Sequence, residues 1–485
     1  MNIEKIAKNI FASFAEKEVE RFLKVFLKGT KFQGKAWGVG GYVRDEILGI
    51  DAKDLDIVVG LKNGAKDLTA LIFRYFPKEV THPTNMGAYP IWQITFKENI
   101  DLNGETYKTE GAVIEFADSM KESYPDANSR QRNVESAPIE DDVKRRDFTV
   151  NMMLKDLSTG EFVDLTGTSK SDIEKGVLRG HPDVDFNEIL RQDPLRMLRL
   201  VRFICKYDWT TPLSVLKAVK ANAARIEVIS EERIRDELIK IMKLGKLAKA
   251  IKFFDSTGLL KYIFPEIQEL KGVQQNATHH SEGDAYRHTM MVLQNSKPGI
   301  ESQLSALLHD AGKASTTEVI EGAIHSYGHE KVSGEIAEAV LRRLKFDLST
   351  VKNVRKIVEN HMKPHALSSA GSVGIRRFVR EVGEELVDAI LDLAHADEQG
   401  KLPRGNNVPA LKERIDGIRN YKIPVKTKAV LNGNEIMSIL NVKGGPIIKQ
   451  VSDYLLEAED DMAVQGKELT KEDAAKRILK KFKPE

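Results

Sequence analysis

Near Ser169 the texture of the sequence changes, and that change limits what the chain can fold into. Before it, apolar, β-branched and aromatic runs recur between Gly, Pro and Asn punctuation: Leu55–Val59, Ile91–Phe96, Val113–Phe116 and Phe162–Leu165. Such runs between breakers predict strands of one sheet with helices between them. After it the strands stop. Leu190–Tyr207, Ser214–Ile226, Glu231–Lys243 and Lys246–Phe254 carry helical periodicity, as does nearly everything to Ile418. Ahead of the sheet, Ile6, Ile10, Phe11, Phe14, Val19, Phe22, Leu23 and Phe26 mark an amphipathic leading helix. The fold class expected is α+β: a small head with a sheet, then a long all-α remainder. Lys401–Asn407 reads as a loop, a further boundary falls near Tyr421–Thr427, and a Gly444–Pro446 turn leads into the last helices.

At 485 residues the chain holds about three or four units by ordinary domain sizes. Its 41% apolar and 30% charged residues exclude a disordered chain. With 74 Lys and Arg against 72 Asp and Glu, the net charge is +2, so nucleic-acid binding must come from local basic faces. One cysteine, Cys205, excludes a disulfide framework and a Cys-based zinc site, and fits a reducing cytoplasm. No apolar run reaches the length of a membrane span, and the charged first 30 residues do not read as a signal peptide.

Two clusters carry chemistry in the head. Gly38-Val39-Gly40-Gly41-Tyr42-Val43-Arg44-Asp45 puts free backbone N–H groups and a helix start where an anion could sit, with Arg44 one turn in. Alone, such a run is also an ordinary turn. Ten residues on, Asp54-Leu55-Asp56 opens a strand; carboxylates at i and i+2 share a side and repel unless a cation lies between them. Hard oxygen ligands at that spacing suit Mg²⁺ with substrate phosphates. The alternative is a solvated polar edge. Glu115, on a later strand, is either a third acid at the metals or an outward residue. Arg145, Arg146, Asp147 and Asn151 can also be a helix start with Asp147 as N-cap.

Gly40-Gly41-Tyr42-Val43-Arg44-Asp45 followed by Asp54-Leu55-Asp56 resembles the first motif of class II tRNA nucleotidyltransferases and bacterial poly(A) polymerases, members of the polymerase-β-like superfamily. Arg145-Arg146-Asp147-Phe148-Thr149-Val150-Asn151 is similar to their second motif, Gln192-Asp193-Pro194-Leu195-Arg196-Met197-Leu198-Arg199 to their nucleotide-selecting helix, and Glu232–Glu237 to a later helical motif. The resemblance implies that Asp54 and Asp56, with Glu115, are catalytic and hold Mg²⁺. It also implies that Gly40, Gly41, Arg44, Arg145, Arg146, Asp147, Asn151, Asp193, Arg196 and Arg199 bind nucleotide, Asp147 and Arg146 meeting the ribose hydroxyls and Arg145 the phosphates. Asp193, Arg196, Arg199 and Arg202 recur every three residues and would share a helix face, which by itself also fits a basic RNA-facing surface. A carboxylate accepting from an exocyclic amine beside a guanidinium donating to a ring nitrogen fits C and A and leaves U and G unpaired. Position 192 is Gln where the family pattern has Glu, which leaves the base-reading pair intact.

Nine of the 11 histidines fall between His279 and His395. His288, His309-Asp310, His329, His361 and Asp397 have the ligand order of an HD-superfamily metal phosphohydrolase, and Leu304–Lys313 resembles its namesake motif, an apolar helix that Gly312 ends. His288, His309, Asp310 and Asp397 are expected to hold a metal, with His329 and His361 at a second metal or a phosphate. Mixed N/O ligation suits Ni²⁺, Mn²⁺ or Co²⁺. His279–Asp284, Gly328-His329-Glu330, Leu431–Met437 and Gly444–Pro446 also resemble HD-fused bacterial members of the family, which implies 2′,3′-cyclic phosphodiesterase, 2′-nucleotidase or phosphatase activity. The domains expected are a helix at 1–33, a nucleotidyltransferase head of mixed sheet at 34–168, a helical neck and body at 169–275, an HD domain at 276–405 and a helical tail at 406–485. The function expected is template-independent CCA addition to tRNA from CTP and ATP by a monomer or weak homodimer. Poly(A), CC-only or A-only addition on the same scaffold, a nucleotide-signalling hydrolase and a plain RNA-binding module are the rival readings.

Overall fold

A computed structural model describes residues 3–52, 54–87, 89–123, 133–276, 283–402, 404–419 and 425–482, with no side-chain statement for 3–13 or 122–123. Residues 279–282 of the His279–Asp284 stretch, Pro403 of the expected loop and 421–424 of the expected boundary lie outside the described residues. The chain divides into two compact units, 1–230 with 257–259, and 231–256 with 260–485. Among the described residues no helix is long and apolar enough to cross a membrane.

The first unit opens with α1 (Ile3–Phe26). Its sheet has seven strands, β1 (Ala36–Val39), β2 (Asp56–Val59), β3 (Thr84–Asn85), β4 (Ile91–Thr95), β5 (Val113–Asp118), β6 (Leu154–Asp156) and β7 (Phe162–Val163), in the order β7-β6-β1-β2-β5-β4-β3. Only β2 and β5 run parallel, so the sheet is mixed. The parallel register sets Asp56 opposite Glu115. All four expected strand runs lie in this sheet. Helix α2 (Gly41–Ile47) follows β1 directly, and α3 (Ile139–Lys144) precedes the Arg145–Asn151 segment.

The expected helix over Leu190–Tyr207 is two helices, α4 (Phe186–Gln192) and α5 (Arg196–Tyr207). Pro194 disfavours helical geometry at the residue before it, and Asp193 is extended (φ −141°, ψ 96°). Asp193 therefore does not share a helical face with Arg196; it stands at the break that precedes it.

In the second unit α6 (Glu231–Met242) and α7 (Leu247–Thr257) lead to the histidine-rich helices α8 (Ala285–Asn295), α9 (Ile300–Leu308), α10 (His329–Arg343), α11 (Leu348–Asn360) and α12 (Glu384–Gly400). Helix α9 ends at Leu308, before Gly312, so His309 and Asp310 sit in the turn beyond it. Gly312 is required for another reason: a Cβ there would lie 2.6 Å from the carbonyl oxygen of His329, so α10 packs against bare backbone. The strands also do not all stop at Ser169. A hairpin, β8 (Glu318–Ile320) and β9 (Ala323–His325), turns at Glu321-Gly322, where both residues have positive φ.

Candidate nucleotidyltransferase and metal sites

In the head, Gly40 has φ 70° and ψ −131°, open only to glycine without strain, and delivers the chain from β1 into α2. The guanidinium of Arg146 lies beside it, 3.9 Å from where a Cβ would stand. Asp54 lies just ahead of β2 with φ 60°, so a left-handed turn, rather than strand alternation, sets its position relative to Asp56. Behind that turn the Leu55 N–H donates to buried Glu16 of α1 at 3.3 Å. The surrounding protein, the Glu115 carboxylate in register with it and, less, Asp54 push the Asp56 carboxyl up to about 6, against the pull of Arg146. Asp56 keeps solvent access, which weakens the burial part; like charge across the parallel pair is the cause that the register supports directly. Three hard oxygen donors of like charge gathered this closely fit a divalent cation.

Arginines dominate the opposite wall. Asp142 of α3 is wholly buried and accepts from Arg145 at 2.7 Å and Arg146 at 2.8 Å. Burial opposes its charge, but the two guanidiniums outweigh that and hold it below the usual carboxylate range. A second chain of polar contacts crosses three elements. Arg44 donates to Asn151 at 2.6 Å, Asn151 to Asp147 at 2.8 Å, and Arg199 of α5 to Asp147 at 2.8 Å. Asp147 is thus not a helix N-cap; the short 3-10 turn Thr149–Asn151 is capped at Phe148. Arg44 is buried, donates also to Asp45 and Tyr207, and lies over the rings of Phe203 and Tyr207 at 5.1 Å. Arg196 is buried and donates to the carbonyls of Ile189 and Arg145. Asp193 accepts from the Leu195 N–H. These bonds bring Arg44, Asp147, Asn151, Arg196 and Arg199 into one framework, with Arg145 and Arg146 tied to it through Asp142. Asp142 was legible three and four residues before its arginines; Glu16 and Tyr207, which are far away in sequence, were not.

The second unit holds a buried histidine and carboxylate cluster. Ligand atoms of His288, His309 and Asp397 form one group within 4.8 Å of one another, and those of Asp310, His329 and His361 form another; among the described residues no other such group occurs. The groups meet at Asp310, which is 3.2 Å from His309, 3.3 Å from His329 and 3.6 Å from His288. In His309, His329 and His361, Nδ1 faces a carbonyl three residues earlier, at 2.9, 2.8 and 2.7 Å. That contact fixes the tautomer and turns Nε2 inward, the arrangement of metal-ligating histidines. Nε2 of His309 and of His329 is buried and turned toward the Asp310 carboxylate at 3.2 and 3.3 Å, two ring nitrogens converging on one carboxylate, so the donor set fits a cation. Burial, then neighbouring His309, pushes His361 down to about 3, keeping it a neutral ligand. Lys313 reaches Asp310 at 2.7 Å, and Lys401 and His365 reach Asp397 at 2.6 and 3.0 Å. Sequence reasoning passed over these three, although both lysines stand one helical turn from their aspartates. The cluster opens into a cavity of about 610 Å³.

The sequence matches the poly A polymerase head domain over residues 36–179, a probable RNA and SrmB-binding site of polymerase A over 213–271, and the HD domain over 285–398. The A-adding tRNA nucleotidyltransferase of Deinococcus radiodurans is 31% identical over 340 residues, covering 66% of this chain and 75% of that protein. The multifunctional CCA protein of a Neisseria meningitidis serogroup C strain is 29% identical, covering 76% of this chain and 82% of that one. In fold the chain is similar to the Bacillus stearothermophilus CCA-adding enzyme solved with CTP, at a TM-score of 0.61, 19% identity and 93% of both chains. Identity of 31% to a relative matched over three quarters of its length, with head and HD segments in order, places this chain in the tRNA nucleotidyltransferase and poly(A) polymerase family of enzymes.

Proposed function

We propose that the chain restores CCA to tRNA 3′ ends, taking CTP and ATP without a template, in the cytoplasm. The observation that carries this is the head site: Asp54 and Asp56 at the start of central strand β2 and Glu115 in register on β5 come together, beside Gly40 and Arg146. Mg²⁺ held by Asp54 and Asp56 would neutralise the triphosphate. The chain's own residues do the rest. Gly40 and Arg145 receive phosphate oxygens, and Arg146 and Asp147 meet the ribose hydroxyls. Asp193, extended at the break before α5, offers a carboxylate to the amine of C or A, while Arg196 holds that break against the Arg145–Asp147 segment. In the reaction the RNA 3′ oxygen bonds to the α-phosphorus, the bond to pyrophosphate breaks, and the hydroxyl proton is lost to solvent.

A-only addition is the second reading, favoured by the name of the Deinococcus radiodurans relative. One assay decides: labelled tRNA lacking CCA, and tRNA ending in CC, each offered CTP, ATP, UTP and GTP separately and together. CCA addition extends both; A-only addition extends only the CC-ended tRNA; failure with both rejects the reading.

The HD half we read as a phosphohydrolase using Ni²⁺, Mn²⁺ or Co²⁺ held by His288, His309, Asp310 and Asp397, with His329 and His361 completing a second position beside Asp310. Its support is the pair of buried, inward imidazole nitrogens of His309 and His329 that converge on Asp310. Hydrolysis of a 2′,3′-cyclic or terminal phosphate, lost in His309→Ala with nucleotide addition kept, is the expected result; no hydrolysis with any of the three metals rejects it.

A further inference from the structure

The hairpin that sequence periodicity missed ends in two stacked rings. His325 closes β9, and Tyr327 follows two residues later; their centroids are 4.9 Å apart with planes 12° from parallel. Tyr327 is 70% exposed, although large aromatic side chains usually bury most of their surface. The pair is not a loose tip. Thr317 and Ser326 are hydrogen-bonded across the base of the hairpin at 2.7 Å, and the Ser326 carbonyl faces Nδ1 of the metal-site residue His329. Gly328, at φ 73°, turns the chain from Tyr327 straight into α10. Both rings line the same cavity as Asp310, His329, Lys313 and Lys401. One end of that cavity therefore carries the candidate metal ligands and two lysines, each paired with an aspartate, and its rim carries an open aromatic face. A volume of about 610 Å³ is far more than a phosphate fills and is in the range of small-ligand sites.

We propose that His325 and Tyr327 form a nucleobase platform. The HD centre then takes phosphates carried on a nucleoside or an RNA terminus, the base stacking on Tyr327 while the phosphate points to Lys313, Lys401 and the metal ligands. A bare phosphoester lacks the base and gains nothing from the rim. This rests on the phosphohydrolase reading for its purpose, but binding tests it independently of turnover.

The probe is 2-aminopurine riboside 3′-monophosphate, whose fluorescence is quenched on stacking. The full chain, stripped of transition metal and held in Mg²⁺, is titrated as wild type, Tyr327→Phe and Tyr327→Ala, the Tyr327-dependent part of the signal reporting the HD cavity. Base-on-aromatic stacking predicts a 5- to 150-fold weaker Kd for Tyr327→Ala, about the range seen for such contacts, with quenching lost; Tyr327→Phe keeps both. Affinity for inorganic phosphate, measured by calorimetry, stays within about twofold in all three. Equal Kd and quenching in Tyr327→Ala overturns the platform, and so does a parallel fall in phosphate affinity, which signals a collapsed cavity. Metal-loaded protein then separates the two readings. With both intact, Tyr327→Ala raises KM for the nucleoside phosphate at unchanged kcat and leaves p-nitrophenyl phosphate hydrolysis alone. Tyr327-dependent binding with no hydrolysis of either compound keeps the platform and sinks the phosphohydrolase.

Discussion

The head and the HD centre both gather carboxylates for a cation, and they do so in opposite ways. In the head, Asp54, Asp56 and Glu115 stand exposed to solvent on and just ahead of the central strands β2 and β5, with no histidine among them and Arg146 nearby. In the HD centre, His288, His309, Asp310, His361 and Asp397 are essentially sealed from solvent, and three histidines are held in one tautomer by backbone carbonyls. The first is a site that substrate completes: the triphosphate brings oxygen ligands and charge, and until then the acids repel one another. The second is built in advance, its ligands locked whether or not a phosphate is present. On the reading proposed above, one chain would carry a weak, exchangeable hard-metal site and a tight mixed-ligand one.

The sharpest way to break this contrast is Asp56→Ala. Nucleotide addition should fall by about a thousandfold or more, the scale of losing a main charge-stabilising group in phosphoryl transfer. Metal content and hydrolysis in the HD half should not change; a loss of both activities would mean the sites are not separate. Chelation tests the same contrast without mutation. After exhaustive dialysis against a chelator, Mg²⁺ alone should restore nucleotide addition fully, while hydrolysis should stay reduced by about a hundredfold until Ni²⁺, Mn²⁺ or Co²⁺ returns. Recovery of both with Mg²⁺ would refute the division of metals.

Asp142→Asn probes the arginine wall. It removes the shared partner of Arg145 and Arg146, and denaturant unfolding should show a loss near the lower end of about 3–5 kcal/mol, because both arginines keep some contact with water. Asp142 titrates below an unfolded aspartate, so its contribution is complete at neutral pH and fades as pH falls below about 4. The wild type should lose this increment in acid and the variant should not. The smallest effect is expected from Asp193→Ala: about 1–3 kcal/mol of discrimination between CTP or ATP and UTP or GTP, read as a ratio of kcat/KM values. An unchanged ratio would move base selection elsewhere.

The architecture was legible where local patterning decides it. Apolar, β-branched and aromatic runs between breakers placed β2, β4, β5 and β7, and the resemblance to the HD ligand order named the histidines and aspartates that the fold gathers. It failed where one residue overrides a period. Pro194 splits an otherwise continuous helical pattern, and Asp54 leaves the strand alternation through its left-handed turn. The β8–β9 hairpin escaped notice because three-residue strands inside a helical region carry almost no periodic signal; only Glu321-Gly322 marked it. Partners far apart in sequence, such as Arg44 with Tyr207, leave no spacing to read.

The Glu16 contact has a consequence for how portable the head is. The segment shared with the poly A polymerase head domain begins at residue 36, yet the turn that aims Asp54 is fastened from α1, which precedes it. A head transplanted without α1 would carry Asp54, Asp56 and Glu115 of the proposed site and lack the peg that holds the turn. For this chain, the smallest transferable unit of catalysis is larger than the segment the family has in common.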